Sequence, residues 1–226
     1  MITFPTCNER QATCIEESAM SSILFCKCLS QIPIKVCLPL VFDRDLESDV
    51  KSDTSGSLRK ILLSVLKANR DQGVEINETL AQNDAKDLYE AGEGRWGTDE
   101  LAFNDVLATR NYGQLRATFE AYKNLTGKDI DDAIKSETSG DLKKAYLTIV
   151  NCARDCQGYF AGCLYNSMKG LGTDEETLIR ILVTRSEIDL QSIKEKFHQM
   201  YNKSLVETIE SDTSGDFKKL LVALLH

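Results

Sequence analysis

Proline is nearly absent from the chain of 226 residues: Pro5, Pro33 and Pro39 are its only prolines. Proline interrupts a helix because it has no backbone N–H to donate and its ring clashes with the preceding turn. The long proline-free remainder therefore favours an all-α body with short turns. The first 42 residues also hold five of the eight cysteines. We predict that residues 1–42 are a divergent, poorly ordered leader, or a segment foreign to the fold.

Long apolar runs are also missing. A membrane-spanning helix needs about 20 apolar residues, and the most apolar window, 22–42, contains two lysines and two prolines. That window is a poor signal peptide as well, because acidic residues precede it and a positively charged start is missing. We therefore expect a protein with no transmembrane segment and no signal peptide.

Basic residues are too few for two large classes of partner. The 35 acidic and 27 basic residues give a formal net charge of −8. Nucleic acid and anionic membranes would both repel such a chain. We expect no binding to nucleic acid, and binding to an anionic membrane would need a basic patch or a bridging cation.

Residue types that carry much enzymatic chemistry are scarce. The two histidines, His198 and His226, have no partner constellation in the sequence. Cys152 and Cys156 are four positions apart, but no His or further Cys pair completes a zinc pattern, which favours free thiols in a reducing compartment. No Gly-Lys-Ser/Thr ending follows a glycine-rich loop, as it does in phosphate-binding enzymes. We predict no catalytic residues and no enzymatic activity.

The chain contains an internal repeat. Gly-Thr-Asp-Glu at 97–100 recurs at 172–175, and Thr-Ser-Gly-Asp at 138–141 recurs at 213–216, both after 75 positions. Thr-Ser-Gly at 54–56 is a third copy of the second element alone. Because one such unit cannot bury its apolar faces by itself, the repeats must stack on their neighbours.

Hydrophobic residues at helical spacing predict five helices in each unit. In the final unit we place them, in chain order, at 157–168, 174–185, 187–201, 204–211 and 215–225. We expect N-caps with capping boxes at Thr173, Ser186 and Ser204. After the leader we predict a partial repeat, a linker with one short helical stretch, and two complete repeats, at 43–68, 69–83, 84–151 and 157–226.

Two glycine-rich loops, at 92–100 and 168–176, each lie at the same sequence distance from an acidic residue. Met168 precedes Asp212 by 44 positions, and Glu93 precedes Glu137 by the same number. If the helices form antiparallel hairpins, each loop can lie at the same end of its unit as its acidic residue. Several carbonyls plus one bidentate carboxylate form an oxygen-only set, which suits a hard cation such as Ca²⁺. Water or an external oxygen, naturally a phosphate, would fill the remaining positions.

Met-Lys-Gly-Leu-Gly-Thr-Asp at 168–174, followed by Asp-Thr-Ser-Gly-Asp at 212–216, resembles an annexin repeat with a type II calcium site. The resemblance covers about residues 43–226, as the third and fourth annexin repeats and the last two helices of a second. It implies a curved disc whose convex face carries the loops and docks on phospholipid. It also implies two calcium sites, each made of three carbonyls and one carboxylate: Met168, Gly170, Gly172 and Asp212; Gly92, Arg95, Gly97 and Glu137.

Three side chains in these loops are candidates for contact with lipid. Trp96 could lie at the headgroup boundary, as interfacial aromatic residues do, or it could pack against its own loop. Arg95 and Lys169 could bind lipid phosphate, or they could be merely solvated. Arg185, like Arg110, lies within a predicted helix, and we expect both to pair with a carboxylate such as Asp189 or Glu187.

On the resemblance, the first annexin repeat and most of the second are missing, and Asp53 has no glycine loop to complete a site. We therefore expect exposed apolar surface and a molecule that is less stable or self-associates. The leading hypothesis is calcium-dependent, non-enzymatic binding to anionic phospholipids such as phosphatidylserine, by a cytoplasmic protein peripheral on membranes. The alternative is a calcium-independent structural, cytoskeletal or self-associating module.

Overall fold

The structure is a computed structural model that describes residues 45–94, 97–170 and 172–225. Within those ranges the chain forms eleven helices and no strand, so the all-α prediction is confirmed. None of these helices is both long and apolar enough to span a membrane. The leader predicted at 1–42 lies outside the described residues. The chain divides into two compact units after Val150.

The first unit begins with two short helices on either side of the predicted Thr-Ser-Gly turn, and a linker follows them. Its helices are α1 (Leu46–Asp53), α2 (Gly56–Leu66), α3 (Glu78–Ala91), α4 (Glu100–Thr109), α5 (Tyr112–Thr126) and α6 (Ile130–Glu137). The next helix, α7 (Gly140–Ser167), begins in the first unit and ends in the second.

The core of the first unit lies where α3 packs against α5 and α2 packs against α4. Leu88, Phe103 and Leu115 are completely buried there. The rings of Phe103 and Tyr146 stack with centroids 5.8 Å apart, and the Tyr146 hydroxyl donates to the Asn104 side chain at 2.8 Å. Burial of apolar area stabilises by about 25 cal/mol per Å². The apolar faces at helical spacing therefore decide which sides of the helices meet.

The linker predicted at 69–83 becomes helical at Glu78. The helix begins there because the Asn77 side chain caps α3 by accepting a hydrogen bond from the N–H of Leu80. The extended part of the linker is tied to the first unit, since the Arg70 guanidinium donates to two backbone carbonyls at the C-terminal end of α4. The short helical stretch expected inside the linker is thus the first turn of α3.

The second unit consists of the C-terminal part of α7 and four more helices: α8 (Glu175–Arg185), α9 (Leu190–Tyr201), α10 (Leu205–Asp212) and α11 (Gly215–Leu224). The bounds of α8–α11 differ from the predicted spans by at most three residues. α7 is interrupted at Asp155, whose φ of −151° and ψ of 88° are not helical. Every helix contributes a completely buried side chain to the core, namely Phe160, Leu178, Ile193, Ile209 and Leu221.

The N-caps of α8 and α10 differ in how well the sequence predicted them. The cap of α10 is confirmed, because the Ser204 hydroxyl accepts a backbone N–H in the first turn. The predicted cap of α8 is wrong, because Asp174, and not Thr173, accepts the N–H of Thr177 at 3.0 Å. Two cap-forming residues are adjacent at this point, and the threonine makes a different contact.

The predicted N-cap at Ser186 is also wrong, since Ser186 follows the last residue of α8 and Asp189 directly precedes α9. Asp189 does not cap α9 with its side chain. Its carboxylate instead accepts from the Arg185 guanidinium, with an Nε–Oδ1 distance of 2.6 Å. The expected pairing of Arg185 is therefore confirmed, with Asp189 as its partner. Because the guanidinium occupies this carboxylate, Asp189 does not cap α9 with its side chain.

Candidate calcium-binding loops

Two glycine-containing loops lead into the N-terminal ends of α4 and α8. Loop 1 (92–99) connects α3 to α4, and loop 2 (168–174) connects α7 to α8. Gly97, Gly170 and Gly172 have φ values of 81°, 119° and 95°, which residues with a Cβ rarely adopt. A Cβ added at any of the three would meet no other atom within 4 Å. Glycine is thus required at these three positions for its backbone conformation, and the backbone there carries no side chain of its own.

Each loop is bonded to the acidic residue that the sequence spacing paired with it. In loop 2, Thr173 donates to the Asp212 carboxylate with an Oγ1–Oδ2 distance of 2.6 Å. In loop 1, Thr98 donates to the Glu137 carboxylate at 3.0 Å. Glu137 is the last residue of α6 and Asp212 the last residue of α10. In each unit, therefore, a loop meets the C-terminal end of a helix at a carboxylate.

Loop 1 also approaches its acidic residue through Gly92. A Cβ placed on Gly92 would lie 3.3 Å from Cγ of Glu137 and 3.5 Å from the Phe103 ring. Glycine therefore leaves the room in which the Glu137 side chain lies against the backbone. Gly92 is buried whereas Glu137 is half-buried, so this acidic residue remains partly exposed to solvent.

The residues after each acidic residue explain why the helix ends there. The Thr138 and Thr213 hydroxyls each donate to the backbone carbonyl four residues earlier at 2.6 Å. Gly140 and Gly215 then adopt φ values of 57° and 62°, which glycine tolerates without strain. This turn fixes the acidic residue at the last position of α6 and of α10.

Asp53 ends α1 in the same way, and Thr54 donates to the carbonyl of Val50. The Asp53 carboxylate accepts from the Ser52 hydroxyl at 2.8 Å. The segment 44 positions earlier lies outside the described residues, so no loop can be paired with Asp53 in this structure.

Backbone hydrogen bonds close each loop at its base. The N–H of Asp99 donates to the carbonyl of Ala91 at 2.7 Å, and the N–H of Asp174 donates to that of Ser167 at 2.8 Å. In the part of the chain that the structure describes, no group of three or more His, Cys, Asp or Glu side chains could hold a metal ion. A cation bound here would need backbone carbonyl oxygens beside the single carboxylate, which is a donor set that Ca²⁺ accepts.

Comparison with known proteins places this repeated arrangement in a family. The annexin family model matches residues 83–149 and 159–224, more than half of the chain. The chain belongs to the annexin family. It is 64% identical to human annexin A13 over 212 residues, covering 93% of this chain and 67% of the human protein. It is 67% identical to mouse annexin A13 over 195 residues, covering 86% of this chain and 62% of the mouse protein.

Solved structures show the same annexin fold. The annexin III structure has a TM-score of 0.86 and 39% identity, and the match covers 95% of this chain and 70% of that one. The structure of calcium-bound annexin (Sm)1 has a TM-score of 0.72 and 30% identity, covering 97% and 74%. This annexin spans about two thirds of the length of the annexin A13 proteins it matches. A match over 212 residues also includes part of segment 1–42, so the sequence similarity does not stop where the predicted leader ends.

Of the three side chains that this annexin was expected to place against lipid, Lys169 lies within the described residues, whereas Arg95 and Trp96 lie outside them. The Lys169 ammonium is 5.7 Å from the centroid of the Tyr165 ring. That ring stacks on Tyr201 with centroids 3.9 Å apart. Lys169 is exposed, so its charge lies beside loop 2 at the surface, over an aromatic face.

The structure also assigns contacts in this annexin that the sequence did not reveal. In the sequence, Glu93 is notable only for its spacing from Glu137, yet its carboxylate accepts from the Tyr122 hydroxyl at 3.2 Å and from the Lys128 ammonium at 2.6 Å. Burial and the nearby Glu93 charge raise the pKa of Tyr122, so the phenol remains a donor. The hydrogen bond to Glu93 raises the pKa of Lys128. An acidic residue flanked by two glycines was the available signal, but its partners are too distant in sequence to be inferred.

Proposed function

We propose that this annexin binds anionic phospholipid membranes through calcium ions held at loops 1 and 2, as a non-enzymatic cytoplasmic protein peripheral on membranes. The observation that carries the proposal is the pair of contacts from Thr98 to Glu137 and from Thr173 to Asp212. In both units, these contacts place a backbone shaped by glycine beside a half-buried carboxylate.

The donor set suits calcium. Ca²⁺ takes roughly six to eight oxygen ligands, and three carbonyls with one carboxylate leave positions for water and for a lipid phosphate. Bound calcium would supply the positive charge that attracts that phosphate. The residues that would hold the two ions are Met168, Gly170, Gly172 and Asp212 at loop 2, and Gly92, Arg95, Gly97 and Glu137 at loop 1.

The charge of the protein supports a bridging cation. A net charge of −8 opposes direct contact with an anionic surface. A cation shared between a carboxylate and a lipid phosphate would remove that repulsion at the contact itself. Lys169 and Arg95 would add charged contacts to phosphate, and Trp96 would lie at the headgroup boundary. The calcium-bound structure of annexin (Sm)1 supports a calcium site in a related protein.

The repeat assignment forms part of this proposal. We assign residues 84–151 and 157–226 to two complete repeats and 43–68 to a partial one. The family-model matches at 83–149 and 159–224 support this division. Each complete repeat would then carry one calcium site.

Co-sedimentation with phosphatidylserine vesicles tests the proposal. We expect the protein to pellet with vesicles in calcium and to remain in the supernatant in chelator. Replacing both Glu137 and Asp212 with alanine should abolish the calcium-dependent fraction. Asp53→Ala, at the end of α1, is the matched control and should bind like the parent. Equal pelleting in calcium and in chelator would contradict the calcium bridge.

Self-association is a second candidate, favoured by apolar side chains on the surface of the second unit. Ile179 and Val183 are one turn apart on α8 and are exposed, as is Leu220 on α11. A second copy of the chain would cover them and remove apolar area from water. Sedimentation velocity in chelator tests this function separately: the parent should form a dimer, and Val183→Lys should be a monomer. A monomeric parent would exclude it.

A further inference from the structure

We propose that Glu93 is a positioning residue for the calcium site of loop 1, acting through Tyr122 and Lys128 rather than by binding the cation. The inference rests on the proposed function of loop 1. Glu93 lies between Gly92 and Gly94, directly after the residue whose backbone meets the Glu137 side chain. Any restraint on Glu93 is therefore also a restraint on the backbone at the site.

Both carboxylate oxygens of Glu93 have partners outside the loop. The Tyr122 hydroxyl donates to Oε2 at 3.2 Å, and the Lys128 ammonium donates to Oε1 at 2.6 Å. Tyr122 is completely buried in α5, and the Glu93 side chain is 16% exposed. One donor on each oxygen fixes the orientation of the carboxylate. Glu93 therefore anchors loop 1 to α5 and to the turn that follows α5.

These contacts and the Thr98 contact attach loop 1 at opposite ends of α6. Lys128 comes two residues before α6 begins at Ile130, and Glu137 is its last residue. An eight-residue helix is about 12 Å long at 1.5 Å per residue. Two attachments separated along one helix prevent the loop from rotating about either of them. The loop backbone is thereby held in one position relative to the Glu137 carboxylate.

Loop 1 needs such a restraint because three of its eight residues are glycine, which restricts the backbone least. Apart from the contacts of Glu93, the N–H of Gly94 donates to the carbonyl of Tyr89, near the C-terminal end of α3, at 2.8 Å. Loop 2 is built differently. Its second residue is Lys169, where loop 1 has Glu93, and the Lys169 ammonium lies over the Tyr165 ring. Loop 2 therefore serves as an internal control for substitutions around Glu93.

Lys128→Met separates positioning from a simple effect of charge. Loss of a positive charge near loop 1 would strengthen Ca²⁺ binding if charge alone mattered. If Lys128 positions the loop through Glu93, the same substitution weakens binding. With Asp212→Ala in the background, so that loop 1 is the remaining site, we expect the calcium concentration for half-maximal vesicle binding to rise on the order of 10-fold. Lys123→Met, the same charge change on α5, should leave it unchanged.

Two further variants test the contact itself. Tyr122→Phe removes a donor without changing charge and should raise the calcium requirement in the same direction. The double exchange of Glu93→Lys with Lys128→Glu restores an ion pair and should recover most of the affinity lost by Glu93→Lys alone. With Glu137→Ala in the background, where loop 2 is the remaining site, these variants should bind like their parent.

Hydrogen exchange in the absence of calcium tests positioning without vesicles. Lys128→Met should accelerate exchange of the Gly94 amide and leave that of Gly172 unchanged. If the Asp212→Ala parent does not bind phosphatidylserine vesicles in calcium, the proposed function fails at loop 1, while exchange at Gly94 still decides the positioning role. An unchanged or lower calcium requirement in the Lys128→Met protein, or unchanged exchange at Gly94, overturns the assignment of Glu93.

Discussion

Thr173 and Asp212 are 39 positions apart in the sequence, yet the threonine hydroxyl lies 2.6 Å from a carboxylate oxygen of the aspartate. Thr98 and Glu137 repeat this relationship in the first unit at 3.0 Å. A hydroxyl that donates to one carboxylate oxygen orients the group while the carboxylate keeps further acceptor capacity. In each unit, the threonine thus couples the loop to the acidic residue at the C-terminal end of α6 or α10.

Thr173→Val removes this donor and keeps the shape of the side chain. We expect the calcium concentration for vesicle binding by loop 2 to rise on the order of 10-fold, because Asp212 loses the group that orients it. The free energy of unfolding should fall by about 1 kcal/mol. Co-sedimentation in the Glu137→Ala background and urea unfolding measure the two effects. Thr184→Val, whose hydroxyl donates within α8, is the control and should keep the parental calcium requirement.

Substitution of two glycines in the second unit should have effects of opposite sign. Gly172 has a φ of 95°, and a non-glycine residue at such a value costs about 1–3 kcal/mol. Gly162 lies within α7, where a Cβ would come no closer than 3.7 Å to the Tyr201 hydroxyl. Alanine favours a helix over glycine by about 1 kcal/mol. Urea unfolding should show that Gly172→Ala destabilises the protein and that Gly162→Ala stabilises it. A stabilising Gly172→Ala would contradict the claim that loop 2 requires glycine at this position for its backbone conformation.

The helices could be predicted because their signals are periodic and local. Apolar residues at helical spacing and the repeated Thr-Ser-Gly turn place α8–α11 within three residues of their observed bounds. The pairing of each loop with an acidic residue could also be inferred, since the same spacing occurs twice in one chain. The sequence therefore predicted which chain positions meet at each loop.

The role of Thr173 could not be predicted from its neighbours in the sequence. Thr173 and Asp174 are both good N-cap residues, and local preferences give no reason to choose between them. The tertiary contact with Asp212 decides, because it takes the threonine hydroxyl and leaves Asp174 to cap α8. Glu93 illustrates the same limit, since Tyr122 is 29 positions away. Contacts of this kind depend on how helices pack, which neither spacing nor propensity records.

The interruption of α7 should make stability sensitive to acid. The Asp155 carboxylate accepts the N–H of Gly158 at 2.8 Å and the Lys196 ammonium at 2.6 Å. Burial opposes ionisation of Asp155, but these two hydrogen bonds outweigh it, and the pKa of Asp155 lies below its ordinary value of 3.8. A depressed pKa in the folded state stabilises above the ordinary value, and that stabilisation is lost as the pH falls through the folded-state pKa.

Asp155→Asn should therefore lower the free energy of unfolding at neutral pH and flatten its decline below about pH 4. Urea unfolding at a series of pH values between 3 and 7 measures both effects. Asp216→Asn, on the exposed side of α11, is the matched control and should follow the parental pH curve. If Asp155→Asn follows that curve as well, then Asp155 does not contribute to acid sensitivity.

The buried ion pair of the second unit makes a sharper prediction about stability. Arg185 is 2% exposed, its guanidinium binds the Asp189 carboxylate with an Nε–Oδ1 distance of 2.6 Å, and it lies 4.5 Å from the Phe160 ring centroid. Asp189→Ala takes this carboxylate away from a buried cation, which costs about 3–5 kcal/mol. Adding Arg185→Leu removes the buried charge as well, so the double variant should be less destabilised than Asp189→Ala alone.

A double-mutant cycle measured by urea unfolding gives the coupling between the two side chains. Glu187→Ala, at an exposed position between them in sequence, is the matched control and should change the free energy of unfolding by less than about 0.5 kcal/mol. A double variant that loses the sum of the two single effects would mean that Arg185 and Asp189 are not coupled. A double variant near the parent would show that the pair stabilises the fold no more than apolar packing does, so that its role is to fix where α8 ends and α9 begins.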